Sequence, residues 1–277
     1  MANRFFLIYL FGISLWLISM VNMSQASIEE SWAPNYLLIG AQKSGTTALF
    51  QYINMHPLVI NKTGEIHFFD NHFNQGLNWY KNHFSKRPSP EYVIGDKSPY
   101  YLFHPLAPQR VAATFPNVKI IIILRNPVDR AYSQYWMNIN LKEETLSFEE
   151  AIKAEPKRLT GERKKILENP AYNSHRYQFF SYLSRGIYVN QIKRWLSYFP
   201  RDQILIISSK DLRDKTDEVM NTVYTFLGLP PHILKRYINK HTDYPPMDKA
   251  LREQLKEYFQ PYNQELEALL GMQFKWD

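Results

Sequence analysis

The chain has 277 residues, 45% of them hydrophobic, which is enough to bury one large α/β core. Lys plus Arg outnumber Asp plus Glu by 33 to 26, a formal charge of +7 that favours an anionic ligand, while no long basic block singles out nucleic acid. Cysteine is absent, which excludes a disulfide framework and thiolate metal sites and leaves any catalysis to oxygen and nitrogen groups.

The first element is an uncharged run from Phe5 to Val21, preceded by Arg4. Its 17 residues stand at the short limit for a membrane helix and are long for a secretory core segment. Three readings stay open for residues 1–27: a membrane anchor through 5–21, a signal cleaved near Ser24 to Ala26, or a start at Met20 or Met23. None of them alters the fold expected for residues 35–277.

From Asn35 onward short apolar runs alternate with helix-period segments. Strands are expected over 35–39, 91–94 and 118–124, with helices over 46–54 and 106–114. That alternation predicts parallel strands joined by helical crossovers, a P-loop-like three-layer α/β domain with its central sheet flanked by helices. The run from Lys119 to Arg125 is almost unbroken isoleucine, as expected of a strand covered on both faces. A helix should follow from Val128 to Asn138, with Pro127 suited to its first turn. Ser147 and Glu150 form a capping-box pattern opening a charged helix to about Glu168, which carries Lys157, Arg158, Arg163, Lys164 and Lys165 as a solvated face. Ile187, Ile192, Trp195, Leu196 and Phe199 recur at near-helical spacing, and a further strand starts at Gln203. Val219, Met220, Val223, Phe226 and Leu227 form one helix face stopped by Gly228 and Pro230, and a last helix is expected from Lys249 to Phe259, broken before Pro261.

Two stretches carry the chemistry. Between strand and helix stands Gly40-Ala41-Gln42-Lys43-Ser44-Gly45-Thr46-Thr47. A mononucleotide loop has its lysine after the second glycine. Here the glycine spacing survives, but Lys43 lies inside the loop and Thr46 takes the lysine's usual place. Backbone N–H groups and the positive end of the following helix still suit a phosphate-like group. The second stretch, from Arg125 to Ser133, begins at the carboxyl end of the next strand, where ligands of open α/β sheets bind. A magnesium-dependent hydrolase needs an acid there, whereas Arg125 and Ser133 form an anion grip.

These residues resemble the sulfotransferases that use 3′-phosphoadenosine 5′-phosphosulfate (PAPS), in particular the heparan sulfate N- and O-sulfotransferase branch and its bacterial relatives. Residues 40–47 resemble the family's 5′-phosphosulfate loop, and 125–133 its 3′-phosphate motif. GEIHFFD at 64–70, GDKSPYY at 95–101, FLGLP at 226–230 and YPPMD at 244–248 follow in the family's order. The resemblance implies a metal-free reaction in which Lys43, with Ser44, Gly45, Thr46 and Thr47, holds the phosphosulfate, and Arg125 and Ser133 hold the 3′-phosphate. It implies Glu65 as the base that takes the acceptor proton, with Lys97 and His67 beside it and His67 the next candidate. Only Lys240 carries over from the basic loop that precedes YPPMD in the family. The acceptor would be a hydroxyl or amine, on a glycan. The donor's compartment would be the cytoplasm for a bacterial enzyme or the Golgi lumen for a eukaryotic one. The alternatives are a P-loop nucleotide kinase or NTPase, and a non-catalytic binder of anionic glycans.

Overall fold

Parallel pairing joins the four strands β1 (Tyr36–Gly40), β2 (Gly95–Lys97), β3 (Lys119–Leu124) and β4 (Ile204–Ser208), in the order β2-β1-β3-β4. The computed structural model describes residues 30–61, 64–235 and 244–276. The apolar segment 5–21 lies outside them, and among the described residues no helix is long and apolar enough to cross a membrane.

Successive strand side chains alternate between two apolar layers. Leu37, Ile39, Ile120, Ile122 and Leu124 face α3 (Ala107–Thr114), α8 (Tyr188–Leu196) and α11 (Lys249–Leu270). Tyr36, Leu38, Ile121 and Ile123 face α1 (Thr46–Ile53) and α10 (Thr216–Leu227). Both faces of β3 are thereby covered, which is why its sequence needs no polar alternation. Trp195 is fully buried, and its indole N–H donates to the Leu102 carbonyl at 3.2 Å.

The second expected strand moves from 91–94 to Gly95–Lys97, while Val93 makes only an isolated parallel bridge to Val59. Tyr36 pairs with Gly95, and a Cβ on Gly95 would lie 2.2 Å from the Tyr36 ring. Only glycine lets that ring lie across the sheet.

The charged helix expected up to Glu168 is two helices, α5 (Phe148–Leu159) and α6 (Glu162–Glu168). Between them Gly161 adopts φ 77°, which starts a new helix direction. The capping box is formed, and Lys157, Arg163, Lys164 and Lys165 are exposed. The helix α4 (Pro127–Asn140) precedes α5, and α7 (His175–Phe179) packs beside α5 and α6. Short helices α2 (Leu77–Lys81) and α9 (Ser209–Asp214) complete the elements used below.

The last helix does not stop before Pro261: α11 runs through it to Leu270. An interior proline costs about 3 kcal/mol. Leu255, Phe259 and Leu266 are buried on one stripe that continues across it, and each such burial contributes roughly 1.5–3 kcal/mol, so packing outweighs the break. The carbonyl of Glu257, which loses its donor, belongs to an exposed residue that water can reach.

After β1 the chain forms β2 on one side and then β3 on the other, so the strand order reverses at β1. The crevice beyond the carboxyl ends of β1 and β3 is therefore the place where an open sheet receives a ligand.

Candidate functional site

The loop leaving β1 is shaped by close packing. A Cβ on Gly40 would lie 2.7 Å from Leu102 Cβ and 2.9 Å from the Pro99 carbonyl, and Gly40 has φ 152°. The Ala41 N–H donates to the Ile123 carbonyl at 2.8 Å, tying the loop to β3. Lys43 then adopts φ 68° and Gly45 φ 99°, which turns the chain into α1 with no side-chain cap on its first turn. The first N–H groups of a helix have no partner within it, and Thr46 and Thr47 begin that turn, the first buried and the second exposed. Ser44 is buried, and its Oγ makes no hydrogen bond of good geometry, only a loose approach to the Tyr188 hydroxyl. A buried hydroxyl without a firm partner, beside uncapped N–H groups, fits an anionic ligand.

Arg125 follows β3 directly and donates from Nη1 to the Lys43 carbonyl at 3.3 Å. Its own carbonyl accepts from the Tyr188 hydroxyl at 2.9 Å, and Tyr244 stands 3.5 Å from Nη2. Asn126 caps α4 by accepting from the Val128 N–H, and Pro127 occupies the first turn. Ser133 lies two turns into α4, 3% exposed. Arg130 is fully buried between them, held by Gln134 and the Tyr182 carbonyl. Burial pulls the Lys43 ammonium below its usual range, and the Arg125 and Arg130 charges push it further down, partly offset by Glu65. A cation held near other cations gains most from an arriving anion.

The second cluster meets at the end of β2. Lys97, 7% exposed, places Nζ 3.0 Å from Glu65 Oε1. His67 Nε2 lies 3.1 Å from Glu65 Oε2, and its Nδ1 lies 2.8 Å from Asp70 Oδ2. Burial alone pulls His67 down, but the hydrogen bonds to Asp70 and Glu65 outweigh it and push the imidazole up to about 10. Burial pushes the Glu65 carboxyl up, yet the His67 hydrogen bond and the Lys97 ammonium together hold it below the usual range. Glu65 is therefore ionised and His67 protonated at neutral pH.

His67 has φ 54°, an unusual conformation for a histidine. Its N–H donates to Ser98 Oγ at 3.0 Å, and Ser98 donates to Asp96 at 2.9 Å. Asp96 also accepts from Tyr101 and Tyr80, at 2.8 and 3.1 Å, while burial pushes its carboxyl up to about 6. The motifs 64–70 and 95–101 contain Asp70, Asp96 and Ser98, but sequence reasoning assigned them no role. Their only signal was position beside Glu65 and Lys97.

The fold thus joins Glu65, His67 and Lys97 directly, links Lys43 with Arg125, and places Lys43 within electrostatic reach of Glu65. Ser133 makes no direct contact with Arg125 among the described hydrogen bonds. Lys240 lies outside the described residues.

The His67 charge carries a stability consequence. Its folded-state value is raised, so the stabilisation is complete below 6.5 and is lost as pH rises through about 10. Melting curves of the wild type and His67→Gln should differ most at pH 6 and converge near pH 11. A gap that persists unchanged at the higher pH would refute the protonated assignment.

A sulfotransferase domain model matches residues 33–266. The human bifunctional heparan sulfate N-deacetylase/N-sulfotransferase 3 is 34% identical over 275 residues, covering 86% of this chain and 30% of its own length. The chain therefore spans less than a third of that relative. The human heparan sulfate glucosamine 3-O-sulfotransferase 5 is 28% identical over 273 residues, covering 88% of this chain and 74% of the relative. Among solved structures, a sulfotransferase from Alicyclobacillus acidocaldarius superposes with TM-score 0.68 at 28% identity, covering 87% of this chain and 96% of that one. Sequence along most of the chain and the course of its backbone agree, and the chain belongs to the sulfotransferase family as an enzyme of that class.

Proposed function

We propose that this enzyme moves the sulfuryl group of PAPS to a hydroxyl or amine of a glycan. The observation that carries the reading is the convergence of two sites. Glu65, ionised between Lys97 and His67, stands within electrostatic reach of Lys43, and Arg125 is bonded to the same loop. Sulfuryl transfer, like phosphoryl transfer, passes charge through a loose in-line transition state, so positioned cations and one proton acceptor supply most of the catalysis.

Lys43 and the first turn of α1 hold the phosphosulfate end, with Ser44, Gly45, Thr46 and Thr47 forming the cradle. Lys43 neutralises charge as it builds on the departing 5′-phosphate. Arg125 and Ser133 hold the 3′-phosphate, and Lys240, the one carry-over from the family's basic loop, adds a cation for the nucleotide. Glu65 takes the proton of the attacking oxygen or nitrogen. His67, already protonated, cannot share that task. It orients Glu65 instead and, with Lys97, supplies positive charge beside the transferring group. The two curated relatives are named for N- and 3-O-sulfation of heparan sulfate, which supports a glycan acceptor and leaves both kinds of nucleophile in play. The catalytic domain works in the compartment that supplies PAPS.

No metal enters this scheme. Calorimetry with 3′-phosphoadenosine 5′-phosphate (PAP), the donor product, should show tight binding with chelator present. Binding that appears only with magnesium would overturn the donor assignment. Mass spectrometry of a glycan panel incubated with labelled PAPS then identifies the acceptor.

A further inference from the structure

Arg185 lies in a short turn at Ser184–Gly186, 143 positions from the loop, yet its Nη1 donates to the side-chain oxygen of Gln42. The guanidinium is 1% exposed and stands over the rings of Tyr100 and Phe103, 5.0 Å from each centroid. Nη2 donates to the Gln178 carbonyl at 2.6 Å. The turn itself is pinned by buried Glu155, which accepts from the Leu183 and Ser184 N–H groups at 2.7 and 2.9 Å. Among the described residues the hydrogen bonds of Arg185 go to amide and backbone oxygens, none to a carboxylate. A cation buried at such cost with no carboxylate in direct contact, only the more distant charges of Glu155 and Asp70, and bonded instead to an amide of the anion loop, requires a reason.

Arginine has donors only, so the Gln42 oxygen must face it. The Gln42 NH2 is then directed away from Arg185, and it makes no hydrogen bond among the described residues. We propose that Arg185 is a positioning residue that fixes the Gln42 amide, so that its NH2 donates to the sulfuryl group in flight. Resting on the PAPS reading above, this assigns the loop a donor besides Lys43 and its backbone. The aromatic pair holds the guanidinium plane, and lysine, lacking that planar fork, cannot reproduce it.

The test is a double-mutant cycle on the full chain with Gln42→Leu, Arg185→Met and the double variant, together with Arg185→Lys. Turnover is measured with PAPS and an acceptor active with wild type. Binding is measured with PAP, which lacks the transferring group. Each single variant should lower kcat by about a hundredfold, the cost of one lost transition-state donor. PAP affinity should change by no more than about threefold, because the lost contact is made to a group that PAP does not carry. The double variant should lose no more than the worse single, since both remove one device. Arg185→Lys should behave like Arg185→Met, and it takes that variant's place in the cycle if the latter does not fold.

Additive losses would show that Arg185 does not act through Gln42. PAP affinity falling in step with kcat would reduce Arg185 to a structural support of the loop. A wild type that neither binds PAP nor consumes PAPS removes this inference along with the donor assignment, whereas a wild type that does both isolates the cycle as its test.

Discussion

Replacing Glu65 by Gln should lower turnover by about two to four orders of magnitude, the range for a positioned proton acceptor. Glutamine keeps the shape and can still meet Lys97 or His67, but it takes up no proton. The carboxylate is half-exposed and already held below its usual range by His67 and Lys97, so it is ionised before any substrate arrives. Its contact with the acceptor strengthens only as the proton leaves, so the loss should fall on kcat rather than on donor affinity. PAP binding should stay near wild type, because a carboxylate offers no attraction to that anion. An amine nucleophile would soften the effect, since its proton can depart after attack on sulfur. A smaller drop on amine than on hydroxyl acceptors would therefore also report the chemistry of the acceptor. Full activity of Glu65→Gln on every acceptor would remove Glu65 from the mechanism and leave His67, whose imidazole is then held up by Asp70 without the Glu65 charge, as the next candidate.

The second large effect is expected at Arg125. Arg125→Ala should weaken PAP by about 2–3 kcal/mol, roughly 30- to 150-fold, the loss of a charge-assisted grip. The nucleotide lacking the 3′-phosphate should be weakened far less. Because Arg125 also donates to the Lys43 carbonyl, a modest loss common to both ligands is expected from the loosened loop. The difference between the two ligands is the quantity that matters. Equal weakening, measured by calorimetry at one salt concentration, would show that Arg125 supports the loop without reading the 3′ position.

Much of this could be read from the chain alone, for a local reason. Strand and helix periods, the glycine spacing from Gly40 to Gly45 and the near-continuous isoleucine of β3 are patterns a few residues long. The backbone answers to them wherever they occur. That is why β1, α1, β3 and α4 appear close to their expected positions, with Lys43 in the loop and Arg125 at a strand end. The resemblance of those same residues to sulfotransferase motifs pointed to Glu65 and Lys97. Where the sequence misled, distant contacts outweighed local rules. Gly95 became the strand because Tyr36 lies across it, and α11 crosses Pro261 because its buried stripe continues on the far side.

The chemical state of the site was decided only by the tertiary structure. An imidazole alone titrates near neutrality. His67 is a cation because the folded turn, which Ser98 helps hold through the His67 backbone N–H, brings Asp70 and Glu65 to its two ring nitrogens. A lysine in sequence reads as surface, yet Lys97 is buried because it ends the strand beside β1. Arg185 carried no signal at all, since its partners Gln42, Tyr100 and Phe103 are far away along the chain. Charge, burial and hydrogen-bond direction depend on neighbours in space, and only the folded sheet with its two covered faces brings those neighbours together.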